Sequence, residues 1–568
     1  MDGLPLAIEL IAARVKLMSP PALLERLAGE HLRLGLVADG AGSLPARQRT
    51  LREAIAWSYR LLSPQEQVIF CRLGVFAGSF DLAAAEQTVT DPHSRLNAEQ
   101  QVVSIWNTLA SLIDKCLLVE RPSNGEEPRF ALLETIREYA QEQLAAEGAH
   151  ETIERHARYF LSLALQAQPA LNGPTPQAWL RRLERELGNL RAALAWHAQH
   201  DAPALLRMCV ALGALWHTTG LWREGQRWLE TALEGMQGDA LVRAGALYWL
   251  GRLARSMNQP DAALQHAEAS VTIYRACGDE RNLARAMMAL GWARYSSAGC
   301  QAAMQCFEEG LALFRSLGET RGIAQALLDL SHMAREQNAD YERATRQFHE
   351  SHTLFRLLGD EEGMGYAIWG LALIAGEHGN IARSHELYLE ALDNFKRLGA
   401  KGVVASGYEN LGETSYLLGN WPAAEEELTT ALQLYREVGN IAGEAMAQHH
   451  LSRLRRRQGR LADAMALLAQ ALNVFCRLHK AGMVARCIAA IGGIALECQQ
   501  LERATQLLSA AQCCFNSQPP FLAPADVAEY EHDIAACRAG LGDDAFNRAW
   551  AAGQTMTLEE ACGLALLP

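Results

Sequence analysis

The stretch 405–439, ASGYENLGETSYLLGNWPAAEEELTTALQLYREVG, contains two segments with helical periodicity and a turn between them. Leu411-Gly412 lies in the first segment, and Gly419 marks the turn. Pro422 opens the second segment, because proline is tolerated in the first turn of a helix. Gly439 ends it, since glycine adopts the left-handed conformation at little cost. The stretch predicts two helices packed as a hairpin with one apolar face.

This pattern repeats along the chain with a period of 40 or 41 residues. The Leu-Gly-like pair of the first helix stands at Leu250-Gly251, Leu290-Gly291, Leu330-Ser331, Leu371-Ala372, Leu411-Gly412, Leu451-Ser452 and Ile491-Gly492. The turn marker stands at Asn258, Ala298, Ala339, Gly379, Gly419, Gly459 and Gln499. A helix-ending glycine stands at Gly278, Gly318, Gly359, Gly399 and Gly439. One hairpin cannot bury its apolar face alone, so about seven units predict a superhelical solenoid with a concave side.

Residues 47–145 follow another pattern, in which helices precede a β-hairpin. Residues 51–61 have helical periodicity, and Ser63-Pro64 caps and opens the next helix. Residues 117–120 and 129–133 flank a turn-rich segment and favour two paired strands. The order predicts a small winged-helix domain, so the expected fold class is predominantly all-α with one β-hairpin.

Composition and missing motifs exclude several classes of protein. The 568 residues carry 52 Lys and Arg against 65 Asp and Glu, a formal net charge of −13. A whole-chain basic surface for nucleic acid is therefore absent. The longest uncharged stretch, 208–222, is shorter than the ~18 apolar residues of a membrane span. With no signal-peptide pattern, we expect a cytoplasmic protein.

Several segments resemble the bacterial STAND regulators, signal-transduction ATPases of the NB-ARC type. Gly3-Leu4-Pro5-Leu6 is similar to the segment that closes their ATPase core. The segments 47–59 and 133–140 resemble the start and the last helix of their winged helix, and 186–196 (ELGNLRAALAW) resembles the link to their repeats. The resemblance implies an ATPase switch joined to a winged helix and a tetratricopeptide (TPR) sensor. It also implies that the winged helix is an intramolecular switch element.

The chain departs from that family in two places. No G-x-x-x-x-G-K-[ST] phosphate loop occurs, so we expect no nucleotide cofactor and a chain that corresponds to the part after the ATPase core. Leu132-Leu133-Glu134 stands where plant and animal relatives carry Met-His-Asp. The expected domains are an ATPase-associated remnant (1–46), a winged helix (47–146), a helical linker or degenerate repeats (147–238), seven TPR-like repeats (239–518) and C-terminal capping helices (519–568).

The function expected from this organisation is non-enzymatic regulation of signal transduction or transcription. No G-x-S-x-G, H-E-x-x-H or G-x-G-x-x-G motif is present, so no catalytic residue is assigned. The repeats would bind a protein, a peptide or a small effector, and the winged helix would relay that event to an ATPase domain in trans. The alternative is a winged-helix transcriptional regulator that binds DNA and uses the repeats as a sensor. We do not expect DNA binding, because residues 102–114 contain no Lys or Arg.

The candidate partner-binding groove consists of first-helix positions that face away from the second helix. Aromatic residues and Arg dominate this set, as they dominate binding hot spots. Its members are Tyr248, Arg252, Arg255, Arg285, Trp292, Tyr295, His332, Arg335, Tyr366, Trp369, Glu413, Tyr416, His449, Arg453 and Arg456. We expect the anionic groups of an elongated partner at the arginines. Alternatively, Trp292 and Trp369 pack between neighbouring units.

Two further clusters have a functional and a structural interpretation. The basic run 453–460 could bind phosphate or carboxylate, or it could be a solvated helix end whose cations favour the helix dipole. His349 and His352 share a helical face but have no third ligand nearby, so we assign no metal site.

Overall fold

The computed structural model describes residues 51–90, 97–121, 127–148, 150–171, 173, 176–234, 239–338, 340–399, 401–517 and 524–567. The remnant expected at 1–46 lies outside these ranges. The chain divides into two units, Met1–Ser297 and Ala298–Pro568, each with its own packing.

The first unit begins with the winged helix. Its elements are α1 (Leu51–Arg60), α2 (Pro64–Leu73), β1 (Ser79–Asp81), α3 (Leu82–Val89), α4 (Ala98–Asp114), β2 (Val119–Arg121), β3 (Arg129–Ala131) and α5 (Glu134–Glu147). The strands form an antiparallel sheet in the order β1-β3-β2, with Phe80 opposite Phe130 and Glu120 on the other side of Phe130. The sequence predicted the β2–β3 hairpin but missed β1, because β1 pairs with the distant strand β3 and no local hairpin pattern marks it.

Side-chain caps fix the helix starts of this domain. Ser63 and Glu66 form a capping box at α2, and Asn97 with Gln100 forms another at α4. The carboxylate of Asp81 accepts a hydrogen bond from the backbone at the start of α3. The sheet and α4 share one apolar core, which includes Phe80, Phe130, Ile105 and Leu109.

The winged helix is bound closely to the helices that follow it. The side chain of Asn189 accepts a hydrogen bond from the Ala77 amide (2.8 Å) and donates one to the Ser79 carbonyl (3.0 Å). Buried Arg129 and Glu186 form an ion pair of 2.6 Å. A side chain at Gly188 would clash with the Ala77 carbonyl, so glycine permits this approach. One hydrophobic core accordingly runs from the winged helix into the next helices.

The rest of the first unit is helical. Its helices are α6 (His150–Leu171), α7 (Gln177–Arg185), α8 (Leu187–His200), α9 (Ala202–Thr218), α10 (Trp222–Glu234), α11 (Ala240–Ser256), α12 (Pro260–Cys277) and α13 (Glu280–Ala298).

The second unit continues with helices of similar length. They are α14 (Cys300–Leu317), α15 (Thr320–Asn338), α16 (Tyr341–Leu358), α17 (Glu361–Glu377), α18 (Ile381–Leu398), α19 (Lys401–Leu417), α20 (Trp421–Glu437), α21 (Ile441–Arg457), α22 (Leu461–Arg477), α23 (Ala481–Glu497), α24 (Leu501–Ser517), α25 (Pro524–Leu541), α26 (Asp543–Gln554) and α27 (Leu558–Ala565).

The backbone shows why the repeat markers recur. All five helix-ending glycines have positive φ, between 65° and 71°. The turn markers Asn258, Gly379, Gly419, Gly459 and Gln499 are also left-handed. At Ala298 the left-handed residue is the neighbouring Gly299, and Ala339 lies outside the described ranges. His479, with φ 51°, continues the helix-ending series although it is not glycine.

Small residues bring the two helices of a hairpin together. A side chain at Gly412 of α19 would meet the Leu428 Cγ of α20 at 2.5 Å, and Ala424 is fully buried. These packed hairpins confirm the predicted fold class: a predominantly helical, TPR-like solenoid with a winged-helix domain near the N-terminus. None of the helices in the described part of the chain is long and apolar enough to cross a membrane.

Candidate functional site

The groove positions of the first unit form two aromatic–arginine groups on α11 and α13. Arg252 donates a hydrogen bond to the Tyr248 hydroxyl (3.1 Å) and lies over its ring. Arg255 lies over the ring of Trp292, whose other neighbour is Tyr295. Arg285 is half-buried on α13. Arg252 and Arg255 therefore pack on aromatic rings of the same surface.

The groove positions of α15 and α17 contact the core. His332 meets the ring of Phe348, and burial lowers its pKa to about 4. Arg335 forms an ion pair with Glu377 of α17. A separate aromatic group joins Tyr366 and Trp369 to Phe395, and Trp369 also contacts Tyr388. Trp369 thus packs against α18 of its own hairpin.

At α19 and α21 the groove positions are brought together. The guanidinium of Arg453 lies over the Tyr416 ring, 5.0 Å from its centroid, and 3.9 Å from the Glu413 carboxylate. Glu413 also lies 4.0 Å from His450. The side chain of Arg453 is buried, with only 7% of its surface exposed, so its charge lies largely out of contact with solvent.

Helix α25, which follows the repeats, supplies the anionic groups that meet these arginines. Glu529 accepts a hydrogen bond from Arg453 (3.0 Å), and Asp533 accepts two from Arg456 (2.9 and 2.8 Å). Glu497 of α23 accepts another from Arg456 (2.7 Å). Burial opposes the charge of Arg456, yet its bonds to Asp533 and Glu497 raise its pKa. The chain's own carboxylates therefore bind these two arginines, at which we expected the anionic groups of a partner.

The whole basic run 453–460 has carboxylate partners. Arg455 bonds Glu425 (2.6 Å), and Arg460 bonds Asp463. Arg457 bonds the Tyr416 hydroxyl and lies 3.7 Å from Glu529. His349 and His352 belong to no metal-binding cluster, since no group of three or more potential metal ligands occurs within the described ranges.

A pocket lies between α21, α23 and α25. Its cavity volume is about 50 Å³, within a depression of about 530 Å³ that includes space open to solvent. The lining residues are His449, Ser452, Arg453, Arg456, Leu468, Arg486, Ala489, Ala490, Ile494, Glu529, Tyr530 and Asp533. Three of the predicted groove residues, His449, Arg453 and Arg456, meet in this lining.

Sequence analysis missed the remaining polar residues of the pocket. Arg486 and Ala489 occupy the seventh repeat at positions six and three before Gly492, the same offsets that selected the groove in earlier repeats. Continuing the count by one repeat would have found them. Glu529 and Asp533 lie outside the repeats, and no local pattern links them to α21.

Glycine at the next groove position makes room for the ion pair. A side chain at Gly493 of α23 would clash with both the Arg456 guanidinium and the Asp533 carboxylate. The seventh repeat therefore presents backbone where α21 presents Arg453, and this difference lets α25 approach α21.

Two titratable groups in this region are strongly affected by burial. Burial lowers the pKa of His449 well below its usual range, and the cation Arg486 acts in the same direction. Burial raises the pKa of Glu409 on α19 to about 7, although the Tyr435 hydroxyl donates a hydrogen bond to this carboxylate (2.6 Å) and opposes the shift. Burial therefore favours the neutral form of both groups, the uncharged ring of His449 and the protonated carboxyl of Glu409.

Known families match both parts of the chain. The model of the tetratricopeptide repeat matches residues 242–316 and 403–477. The model of the winged helix-turn-helix domain matches residues 62–145.

Curated relatives match part of the chain. A protein of Mycobacterium bovis named as an HTH-type transcriptional regulator is 35% identical over 304 residues, which cover 51% of this chain and 33% of the relative. An uncharacterized protein of Mycobacterium tuberculosis is 36% identical over 176 residues, covering 30% of this chain and 42% of that protein. The chain spans about a third of the length of the first relative.

Solved structures with a similar arrangement include a STAND protein with a tetratricopeptide repeat sensor from Pyrococcus horikoshii, at a TM-score of 0.42 and 14% identity over 84% of this chain and 74% of that one. A Rap protein complexed with competence and sporulation factor gives a TM-score of 0.43 and 13% identity over 61% of this chain and 98% of the other. By its family matches and its fold, the chain carries a winged helix-turn-helix domain and tetratricopeptide repeats.

Proposed function

We propose that this protein is a non-enzymatic regulator of signal transduction or transcription, in which the repeats bind an effector and the winged helix relays binding to an ATPase domain. The repeats supply the binding surface. The winged helix supplies the contact with the ATPase, as the resemblance of its first and last helices to those of STAND regulators implies.

The surface of α4 is the observation that carries this proposal. This helix contains no Lys or Arg, and Lys115 at its end is bonded to Glu66 (2.8 Å). It exposes two large apolar side chains, Val103 (53%) and Trp106 (49%). A helix that reads DNA needs cations near phosphate, whereas exposed aromatic and aliphatic groups suit a protein contact.

The bonds that join the winged helix to α8 support a relay. Asn189 and Glu186 bond to β1 and β3, so the sheet and the following helices share one core. A shift of those helices would therefore move the sheet with them, which is what an element that transmits binding must do.

Capture from a lysate of the source bacterium tests the relay. The immobilised wild-type chain and a Val103→Ser/Trp106→Ser variant are compared, with captured proteins identified by mass spectrometry. We expect an NB-ARC-type ATPase with the wild type and at least tenfold less with the variant. A Val438→Ser/Ile441→Ser variant is the matched control, because these side chains are similarly exposed (42% and 50%) on the second unit. Equal capture by all three proteins would contradict the proposal.

DNA binding is the second candidate, and the name of the Mycobacterium bovis relative favours it. Titration of a labelled duplex library, with and without added salt, separates the two functions. The relay predicts weak binding without sequence preference. Selection of one sequence from the library with nanomolar affinity would establish the DNA-binding function instead.

A further inference from the structure

Two cysteines that are distant in the sequence meet where the last helix packs on the repeats. Cys476 lies in the last turn of α22, and Cys562 lies in α27. Their sulfur atoms are 3.5 Å apart, although the residues are 86 positions apart along the chain. Both are free thiols. Because the sulfur atoms of a disulfide bond lie about 2 Å apart, a bond between these two needs an approach of only about 1.5 Å.

Helix α27 is short and depends on its contacts with the repeats. It has eight residues and lies against α23 and α24. Its Ala561 and Ala565 are buried in the core that α22, α23 and α24 share. At its end, Arg503 of α24 donates hydrogen bonds to the carbonyls of Ala565 (3.2 Å) and Leu567 (2.5 Å). An isolated helix of this length is marginal in water, so a covalent bond to α22 would add a strong constraint to weak ones.

The surroundings of the two thiols limit their reaction with other groups. Both side chains are half-buried. Burial raises the pKa of the Cys562 thiol to about 12, and its hydrogen bond with Cys476 acts in the same direction. The thiolate is the reactive form, so Cys562 alone is slow to react and its bond formation depends on the contact with Cys476.

We propose that Cys476 and Cys562 form an oxidation site, at which a peroxide converts the two thiols to a disulfide bond that ties α27 to the repeats. One sulfur attacks a peroxide oxygen, which gives a sulfenic acid and releases one water molecule. The second sulfur then displaces the sulfenic oxygen, which takes up the proton of that thiol and leaves as a second water molecule. Two thiols are thereby oxidised by two electrons, and one hydrogen peroxide is reduced to two water molecules.

The bond would act on the end of the repeat array. It closes a loop of 86 positions and so removes conformational freedom from the unfolded chain. It also prevents α27 from separating from α22 in local opening, which begins at weakly held segments. Oxidation would therefore lock the helix that covers α23 and α24, an effect that goes beyond the proposed binding of an effector.

Peptide mapping of the full chain tests the bond. The chain is treated with hydrogen peroxide, its remaining thiols are alkylated in denaturant, and its tryptic peptides are identified by mass spectrometry. Cleavage after Lys and Arg releases Cys476 in peptide 461–477 and Cys562 in peptide 549–568, each with a single cysteine. We expect these peptides to be joined, with the loss of two hydrogen atoms, and to separate after dithiothreitol. A bond from either residue to Cys487 or Cys514 instead, or no bond once exposed Cys498 is oxidised, would overturn the proposal.

Hydrogen exchange then tests the lock. Oxidation should slow amide exchange in α27 about tenfold and leave exchange in α1–α5, which lie in the other unit, unchanged. Cys476→Ser and Cys562→Ser should each lose the joined peptides and the slower exchange. These variants lie on opposite sides of the contact, so either one serves if the other does not fold. Cys498→Ser removes an exposed thiol and is the matched control, which should retain both effects. Unchanged exchange in α27 of the oxidised wild type, or slower exchange in peroxide-treated Cys476→Ser, would overturn the proposal.

Discussion

At the scale of single residues, the buried charges near α21 set how the second unit responds to pH. The carboxyl of Glu409 has a pKa raised to about 7 by burial, against 4.5 for an ordinary Glu. Between those values the folded chain retains a proton that the unfolded chain has lost. The carboxyl therefore lowers stability as pH rises through this window, and its full cost is reached above the folded pKa.

Glu409→Gln should consequently stabilise the protein at pH ~8 and have little effect at pH ~4.5. One pKa unit corresponds to about 1.4 kcal/mol, so we expect a gain of about 1–3 kcal/mol at the higher pH. Glutamine keeps an acceptor for the Tyr435 hydroxyl. Denaturant unfolding of both proteins across this pH range gives the difference. The lowered pKa of His449 makes the opposite contribution to the pH dependence of stability. Because both proteins contain His449, its contribution cancels in the difference between them.

Exposed Glu426→Gln on α20 is the matched control and should change stability by less than about 0.5 kcal/mol at every pH. A gain for Glu409→Gln that does not grow with pH would show that this carboxyl is not held protonated by the fold.

The sequence predicts which positions share one face of the first helices, but it does not predict the partners of their side chains. The offsets from the Leu-Gly marker place Arg453 and Arg456 on the same face of α21. Their partners on α25 lie 76 and 77 residues further along the chain, and no local pattern encodes a pairing at that distance. Burial of a charge depends on such distant contacts, so the expected anionic partner could not be distinguished from an internal one.

At the scale of helices, the hairpin was predictable because its markers have backbone causes. Glycine at the helix ends adopts a positive φ without the strain that a side chain would cause. The small residues Gly412 and Ala424 permit close packing of the two helices. Strand β1 was not predictable, because its partner β3 is distant in the sequence and no hairpin turn lies next to β1.

Gly412→Ala on α19 should destabilise the protein although alanine favours helix. The new methyl group would meet the Leu428 Cγ at 2.5 Å, and overpacking of this kind costs about 1–3 kcal/mol. The gain in helix propensity is at most about 1 kcal/mol. Thermal or urea unfolding measures the sum, which we expect to be a net loss.

Gly402→Ala on the same helix is the control, because no atom lies within 4 Å of its added methyl group. This variant should be neutral or stabilised by up to about 1 kcal/mol. If Gly412→Ala behaved like Gly402→Ala, the α19–α20 contact would be looser than described.

At the scale of the whole molecule, stacked repeats transmit strain only to their neighbours. Stability in such arrays is close to a sum of repeat and interface contributions. The last hairpins differ from the others because α25 adds buried ion pairs to α21. Loss of one of those ion pairs should therefore destabilise only the helices that form it and their neighbours.

Asp533→Asn tests this locality. Asp533 is 3% exposed and accepts two bonds from Arg456, so removing its charge leaves a buried cation partly unmatched. Breaking a buried pair in this way costs about 3–5 kcal/mol. We expect faster amide hydrogen exchange in α21, α23 and α25, with exchange in α15–α18 and in the core of the first unit unchanged. Glu531→Gln, at an exposed position of the same helix, should leave the exchange of every helix unchanged. In a solenoid with nearest-neighbour coupling, the loss of stability is confined to the repeats that α25 contacts. Faster exchange throughout both units would contradict this and would mean that the chain unfolds as one cooperative body.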